Sequence, residues 1–256
     1  MTSAPILPAS AVLRPLIRHF IIAEQAQAAQ YKVFPSAHLV VGFQYSGHIS
    51  IIDGNNSQRL STAGITGLTD KPKTFAASAG TGTVLVYFSE TGLSFFTKCL
   101  ASELFGQSIG LDQVFDAQKV CILEEKLGNA SDTAERIRVV EQFFLSLLRD
   151  IQQDSLILEA VKRIYCANGN IRINELQEQL FISARAFEKR FKKLVGISPK
   201  KFATIVRFNQ VLGDLNTGKS LTEICYENNF FDQAHFIHSF KQFTGESPGQ
   251  LEKGNK

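Results

Sequence analysis

The sequence predicts an α+β protein in two domains: a β-rich sandwich or barrel, then an all-α half. Three observations carry that reading. Short apolar runs rich in β-branched and aromatic residues, separated by turn chemistry, occupy residues 1–90. From about residue 91 the apolar residues recur at helical spacing instead. Residues 183–202 then recur, shifted by 49 positions, at 232–251. Phe187, Phe191, Lys192, Gly196, Ser198 and Pro199 are answered by Phe236, Phe240, Lys241, Gly245, Ser247 and Pro248, and Phe202 by Leu251. Two copies of one supersecondary unit fall short of a solenoid and imply two equivalent elements presented to one elongated partner.

Leu39 to Phe43, Ile49 to Ile52 and Val84 to Phe88 are the strand candidates, with turns at Tyr45-Ser46-Gly47 and Asp53-Gly54-Asn55-Asn56. Glu124 to Leu127 and Arg136 to Leu148 read as helix, the latter with Ile137, Val140, Phe144, Leu147 and Leu148 on one stripe and Asp132 or Ser131 as N-cap. The polar break Gln152-Gln153-Asp154 divides the chain into 1–152 and 153–256. Beyond it, Leu156 to Ile164 is an amphipathic helix stopped by Asn168-Gly169-Asn170. A short helix (Asn174 to Leu180), a turn (Phe181 to Ser183) and a longer helix to Val195 follow. Ser198-Pro199 opens a helix to about Leu215, since Ser caps free amides and Pro lacks only an N–H that would be orphaned there. Asn216-Thr217-Gly218 ends it, before a second short helix (Leu221 to Asn228) and a second long one (Asp232 to Thr244).

Composition narrows the function classes. In 256 residues, 44% hydrophobic and 20% charged content suits a packed core. No stretch approaches the roughly 20 apolar residues of a membrane span. Pro5, Pro8, Arg14, Pro15 and Arg18 break up any secretion signal at the start. Cys99, Cys121, Cys166 and Cys225 are scattered and read as reduced thiols, so a cytoplasmic location without a membrane partner is expected. Residues 1–153 hold twelve basic against thirteen acidic side chains, and residues 154–256 fifteen against eleven. Within 184–207 there are eight against one, so the positive charge gathers on the first repeat copy.

A short helix, a tight turn and a longer capped helix form the helix-turn-helix pattern, here twice. In the first copy Phe187, Phe191 and Leu194 face a core, while Arg185, Glu188, Lys189 and Lys192 share another face. In the second copy Phe236, Phe240 and Phe243 form the apolar stripe, and Gln233, Ala234, Ile237, His238 and Lys241 form the other face. Arg and Gln suit guanine and adenine edges, and Ala234 and Ile237 suit thymine methyls better than they suit water. The expected partner is double-stranded DNA, read in the major groove. The first copy would supply most of the electrostatic affinity and the second would tune specificity.

The chain resembles the AraC/XylS class of bacterial transcriptional regulators over about residues 154–251. The residues that carry this are Leu176, Ser183, Phe187, Phe191-Lys192, Gly196-Ile197-Ser198-Pro199, Phe202 and Arg207, then Ile224, Phe230, Asp232-Gln233, His235-Phe236, Phe240-Lys241, Gly245, Ser247 and Pro248. The resemblance implies two helix-turn-helix units joined by one long helix, with recognition helices in successive major grooves about 34 Å apart. The family usually has Ala where Gln177, Val211 and Cys225 stand, Gly at Phe181 and Asn229, Arg at His238 and an aromatic at Leu251. More faintly, Phe34-Pro35-Ser36, Gly67-Leu68-Thr69 and Val84 to Phe88 with a helical Leu93 to Phe105 resemble cupin-like sensor domains of the double-stranded β-helix type.

For the first half, this implies a small-molecule effector whose contact residues the sequence leaves open. One alternative is a metal-dependent cupin-type enzyme using His38 and His48 with Glu24 or Glu90. The compact His-x-His of such sites is absent, and Ser57, Ser89 and Ser94 lack a nucleophile elbow, so no catalytic residue, metal or cofactor is expected. Another alternative is an interaction module, with the 131–151 helix offering Phe143, Phe144, Leu147 and Leu148 to a second copy. Homodimerisation and contact with RNA polymerase are the further partners considered.

Overall fold

The structure, a computed structural model, describes residues 2–254 except 216 and 231. Asn216, at the expected end of the long helix, and the His235 side chain lie outside the described residues. Among the described residues, nine strands precede the α-helices: β1 (Ile17–Gln25), β2 (Ala29–Val33), β3 (Val40–Ser46), β4 (Ile49–Asp53), β5 (Asn56–Arg59), β6 (Ala63–Thr66), β7 (Lys73–Ala77), β8 (Thr81–Phe88) and β9 (Ser108–Gly110). They form two antiparallel sheets, ordered β1-β8-β3-β6-β9 and β2-β7-β4-β5. This is the order of a two-sheet jelly roll, the arrangement implied by the cupin resemblance. The expected barrel is not closed. Tyr31, Phe75, Leu85 and Tyr87 stand in the space between the sheets, holding them beyond the roughly 4.8 Å at which strands can share a ladder.

Period-2 alternation sorts the side chains of the larger sheet. Val41 pairs with Val86 and Phe43 with Val84, and all four are buried on its outer face. Helices α1 (Ala117–Asn129) and α2 (Thr133–Leu147) cover that face. Phe144 lies edge-on to Phe43, Phe88 and Phe96 at 6.4, 5.3 and 5.1 Å, and Phe143 meets Phe43 and Phe115. The apolar stripe considered for a second copy is therefore largely spent on the protein's own sheet, leaving Leu145 and Leu148 exposed. Asp132 caps α2, accepting from the Glu135 amide at 2.8 Å. The expected helix at Leu93 to Phe105 is instead two 3-10 turns, Gly92–Phe95 and Ala101–Leu104.

The second half is helical: α3 (Ser155–Cys166), α4 (Ile173–Gln179), α5 (Ala184–Val195), α6 (Pro199–Leu215), α7 (Leu221–Glu227), α8 (Gln233–Thr244) and α9 (Pro248–Gly254), the last without a forerunner in the sequence reading. Asp154 from the polar break caps α3 and also takes a two-nitrogen grip from Arg190 of α5, at 2.8 and 3.0 Å. Each repeat copy builds an aromatic cluster. Phe187, Phe191, Phe202 and Tyr165 form one, and Phe230, Phe236, Phe240, Phe243 and Phe208 the other. Phe202 and Phe208 both belong to α6, so one helix joins the clusters.

The short helices end alike. The Ile182 amide donates to the Gln177 carbonyl and the Phe230 amide to the Cys225 carbonyl, each at 3.1 Å, which puts Phe181 and Asn229 in the left-handed region at φ 52°. Asn tolerates this, whereas Phe181 is strained and its side chain is 97% exposed. Phe181→Gly should therefore raise stability by up to about 1 kcal/mol after the backbone entropy of glycine is set against the relieved strain. Gly196 and Gly245 end α5 and α8 at φ 102° and 80°. A Cβ on Gly196 would also sit 3.0 Å from the Ala101 carbonyl, while one on Gly245 would approach only Pro72, at 4.0 Å. Thermal melts should show Gly196→Ala as the more damaging of the two substitutions.

Candidate nucleic-acid interface and interior cavity

The first candidate face lies on α5. Ser183 caps it, accepting from the Ala186 amide at 3.4 Å, and burial of Phe187, Phe191 and Val195 fixes its rotation. Arg185, Glu188, Lys189 and Lys192 are consequently exposed together, and none forms an ion pair among the described residues. Other cations of the basic run are used internally. Arg190 holds Asp154, and Lys201 holds Asp70 at 2.7 Å while lying over the Phe105 ring. Arg207 lies over Phe230 at 4.7 Å.

The second face lies on α8, and it departs from expectation at two positions. Gln233, Ala234, His238 and Lys241 are exposed, but Ile237 is half-buried against the core. Gln233 donates its side-chain amide to Thr222 of α7 at 2.8 Å, because the turn brings the start of α8 back over the short helix. Within this unit Ser220 caps α7 reciprocally with Glu223, and the buried Asn228 amide donates to Asp214 of α6 at 2.9 Å.

Between the two sheets lies a cavity of about 320 Å³, within the range of small-molecule sites. The side chains that alternate with the core, Val40, Gln44, Thr83, Leu85 and Tyr87, form one wall. Tyr31, Val33, Lys73 and Phe75 form the opposite wall. His38 lies at its edge. Burial pushes His38 down to about 4, against the opposing pull of Glu90, so the ring is neutral near pH 7. Its Nδ1 stands 3.5 Å from Glu90, too far for a strong hydrogen bond. Glu90 is itself buried and accepts from the Arg18 guanidinium and the Tyr165 hydroxyl, both at 2.5 Å. Burial, reinforced by that carboxylate, holds the Tyr165 phenol protonated. Since Tyr165 belongs to α3, one buried carboxylate links the cavity edge to the helical half.

The other metal-ligand candidates do not converge. His38 and His48 flank opposite ends of β3, more than about 20 Å apart at roughly 3.3 Å per residue. Glu24 accepts from Tyr45 at 2.7 Å, at the end of β3 far from His38. Among the described residues, no three His, Cys, Asp or Glu side chains gather as ion ligands, and no helix is long and apolar enough to cross a membrane.

Residues 176–254 match the family model of a helix-turn-helix domain. This region is a helix-turn-helix domain. Over 82 residues the chain is 29% identical to uncharacterised HTH-type transcriptional regulators of Staphylococcus aureus strains MSSA476 and N315. The match covers 32% of this chain and 11% of those proteins, so the chain spans about a tenth of the curated relatives it matches. Similar solved structures include ToxT from Vibrio cholerae, at TM-score 0.47 and 14% identity over 91% of this chain and 96% of that one. The AraC-like transcriptional activator CuxR aligns at TM-score 0.26 and 14% identity, over 85% and 88% of the two chains.

The helix-turn-helix domain was legible from its doubled pattern. Lys73, Tyr31 and Tyr87 in the cavity and the Glu90–Tyr165 link were not singled out, because each depends on strands or halves distant in sequence. Folded His38 titrates near 4 against the usual 6.5, so its neutral form adds stability that is complete above pH 6.5 and lost as pH falls toward 4. His38→Gln should flatten that loss by about 3 kcal/mol, measured as melting temperature against pH in variant and parent.

Proposed function

We propose that the protein is a DNA-binding transcriptional regulator whose helical half is biased by a small molecule held between the two sheets. The observation that carries this is the pair of outward faces on α5 and α8, helices with equivalent glycine ends and aromatic clusters, joined through α6. Arg185, Lys189 and Lys192 offer cations that no carboxylate among the described residues neutralises, as phosphate and guanine contacts require. Glu188 sits on the same face as an acceptor for cytosine. On α8, Ala234 and His238 reach outward with Lys241, while Ile237 presents only its exposed edge. Gln233 is steadied by Thr222 and is positioned to read a base from that anchored state. A division of the chain near residue 153 fits this reading, since Asp154 begins the helical half as the cap of α3. Small-molecule control is supported by the cavity and by the Glu90–Tyr165 link, through which a change at the cavity edge reaches α3. A regulatory rather than enzymatic role accords with the dispersed histidines.

Selection of bound sequences from random DNA with the full chain should yield two half-sites one helical turn apart. Arg185→Ala should cost about 1–3 kcal/mol at the selected site and relax base preference within one half-site. Lys192→Ala and Lys241→Ala should weaken all sequences alike and reduce the salt slope by about one each. Arg185→Ala with unchanged affinity and preference would show that α5 does not read bases through this face.

A further inference from the structure

The wall of the cavity is chemically one-sided. Among the described residues its charged side chains are Lys73 and, at the exposed rim, Arg59, and no Asp or Glu lines it. Lys73 reaches in from β7, and its ammonium donates to Ser108 Oγ at 2.9 Å; Ser108 shares a further hydrogen bond with Thr66 at 3.1 Å. No carboxylate lies within ion-pair distance of Lys73 among the described residues. Several other cations do have one, Arg18 with Glu90, Lys32 with Glu246, Lys201 with Asp70 and Lys219 with Glu227, while half-buried Arg207 lies against the Phe230 ring and Arg149 donates to backbone carbonyls. Burial lowers the Lys73 pKa, the expected response of an ammonium removed from water without a counter-charge. The remaining surface is mainly apolar, with Phe75 on one wall facing Val40 and Leu85 on the other.

An ammonium without a counter-ion beside two hydroxyls, in a pocket otherwise lined by hydrocarbon, is a receptor for one small anion attached to an apolar body. A neutral ligand would bury Lys73 further without compensation, and a cationic one would meet no acid. The volume also limits size: at roughly 30 Å³ for a water-sized group, about ten non-hydrogen atoms fit. We propose that this cavity binds a small apolar carboxylic acid, its carboxylate on Lys73 and Ser108 and its hydrocarbon body among Val40, Phe75 and Leu85. This rests on the cavity being the regulatory site, but binding itself requires nothing of the DNA-facing helices.

Calorimetric titration of the full chain with octanoate, octanamide and octylamine, without DNA, tests the assignment. Octanoate is expected to bind at least about tenfold more tightly than octanamide, with octylamine weakest. Lys73→Met should abolish the preference for acid over amide, and Lys73→Arg should retain much of it. Gly42 lines the cavity from β3, and a Cβ there would make only ordinary contact, 3.4 Å from Leu85. Gly42→Leu should therefore fill the space and remove octanoate binding, a second arm should Lys73→Met fold poorly. Equal affinity for octanoate and octanamide, an acid preference that survives Lys73→Met, or no binding of either overturns the assignment. Retention of sequence-specific DNA binding in that event would leave the regulator reading standing, and loss of DNA binding with octanoate binding intact would do the reverse.

Discussion

Phe202 and Phe208 lie six residues apart on one uninterrupted helix, and each is buried in the aromatic cluster of a different helix-turn-helix unit. Neither unit could turn against α6 without opening a cluster of close-packed rings, which is costly because interiors tolerate no such voids. The rotation of α5 is set by Phe187 and Phe191 and that of α8 by Phe236 and Phe240, all packed toward this helix. The placement of two reading faces relative to one another is therefore a property of one helix and the rings it carries. Asn228, bonded to Asp214 near the end of α6, adds a polar tie to the second unit.

A comparable economy governs the sheets. The larger sheet gives one face to Phe143 and Phe144 and so obtains its core from α2 rather than from the opposing sheet. Its other face, released from that task, lines a cavity together with β2 and β7. Had the two sheets packed directly, as in a sandwich, the space for a ligand would have been filled by side chains. At the edge of that space Glu90 ties together Arg18 of β1 and Tyr165 of α3, with His38 beside it. More exposed ties, Lys32 to Glu246 and Lys201 to Asp70, also join the halves, but ion pairs so accessible to water contribute at most about 1 kcal/mol each. The buried junction is the stronger constraint on how the halves sit.

The basic run of the first repeat copy serves two purposes that its charge count conceals. Arg190, Lys201 and Arg207 are structural, holding Asp154, Asp70 and the Phe230 ring. Arg185, Lys189 and Lys192 remain outward, so the asymmetry between α5 and the nearly neutral α8 persists after the internal cations are set aside. The two units share a fold and differ in surface chemistry.

The helices were legible because their information is local: caps such as Ser183 and Asp132, a period of 3.6, and glycines at left-handed ends all act within a few residues. The duplication of that local code specifies the helix-turn-helix pair, and the family resemblance, with Gly usual at that position, sets Phe181 apart. Strands were legible only where both faces are apolar or half-buried, as in β3, β4 and β8. β2 and β5 carry Lys32, Gln58 and Arg59 and owe their existence to neighbours across the sheet, and β1 interrupts its alternation with Arg18 and His19. By itself the sequence determined the helical half, its repeat and the sides of α5 and α8 that face outward. Only the tertiary structure decided that the sheets stay open around a cavity, that Ile237 turns partly inward, and that Lys73 and Glu90 face the partners they do. Those outcomes depend on contacts between residues far apart in the chain, where no local periodicity records the neighbour.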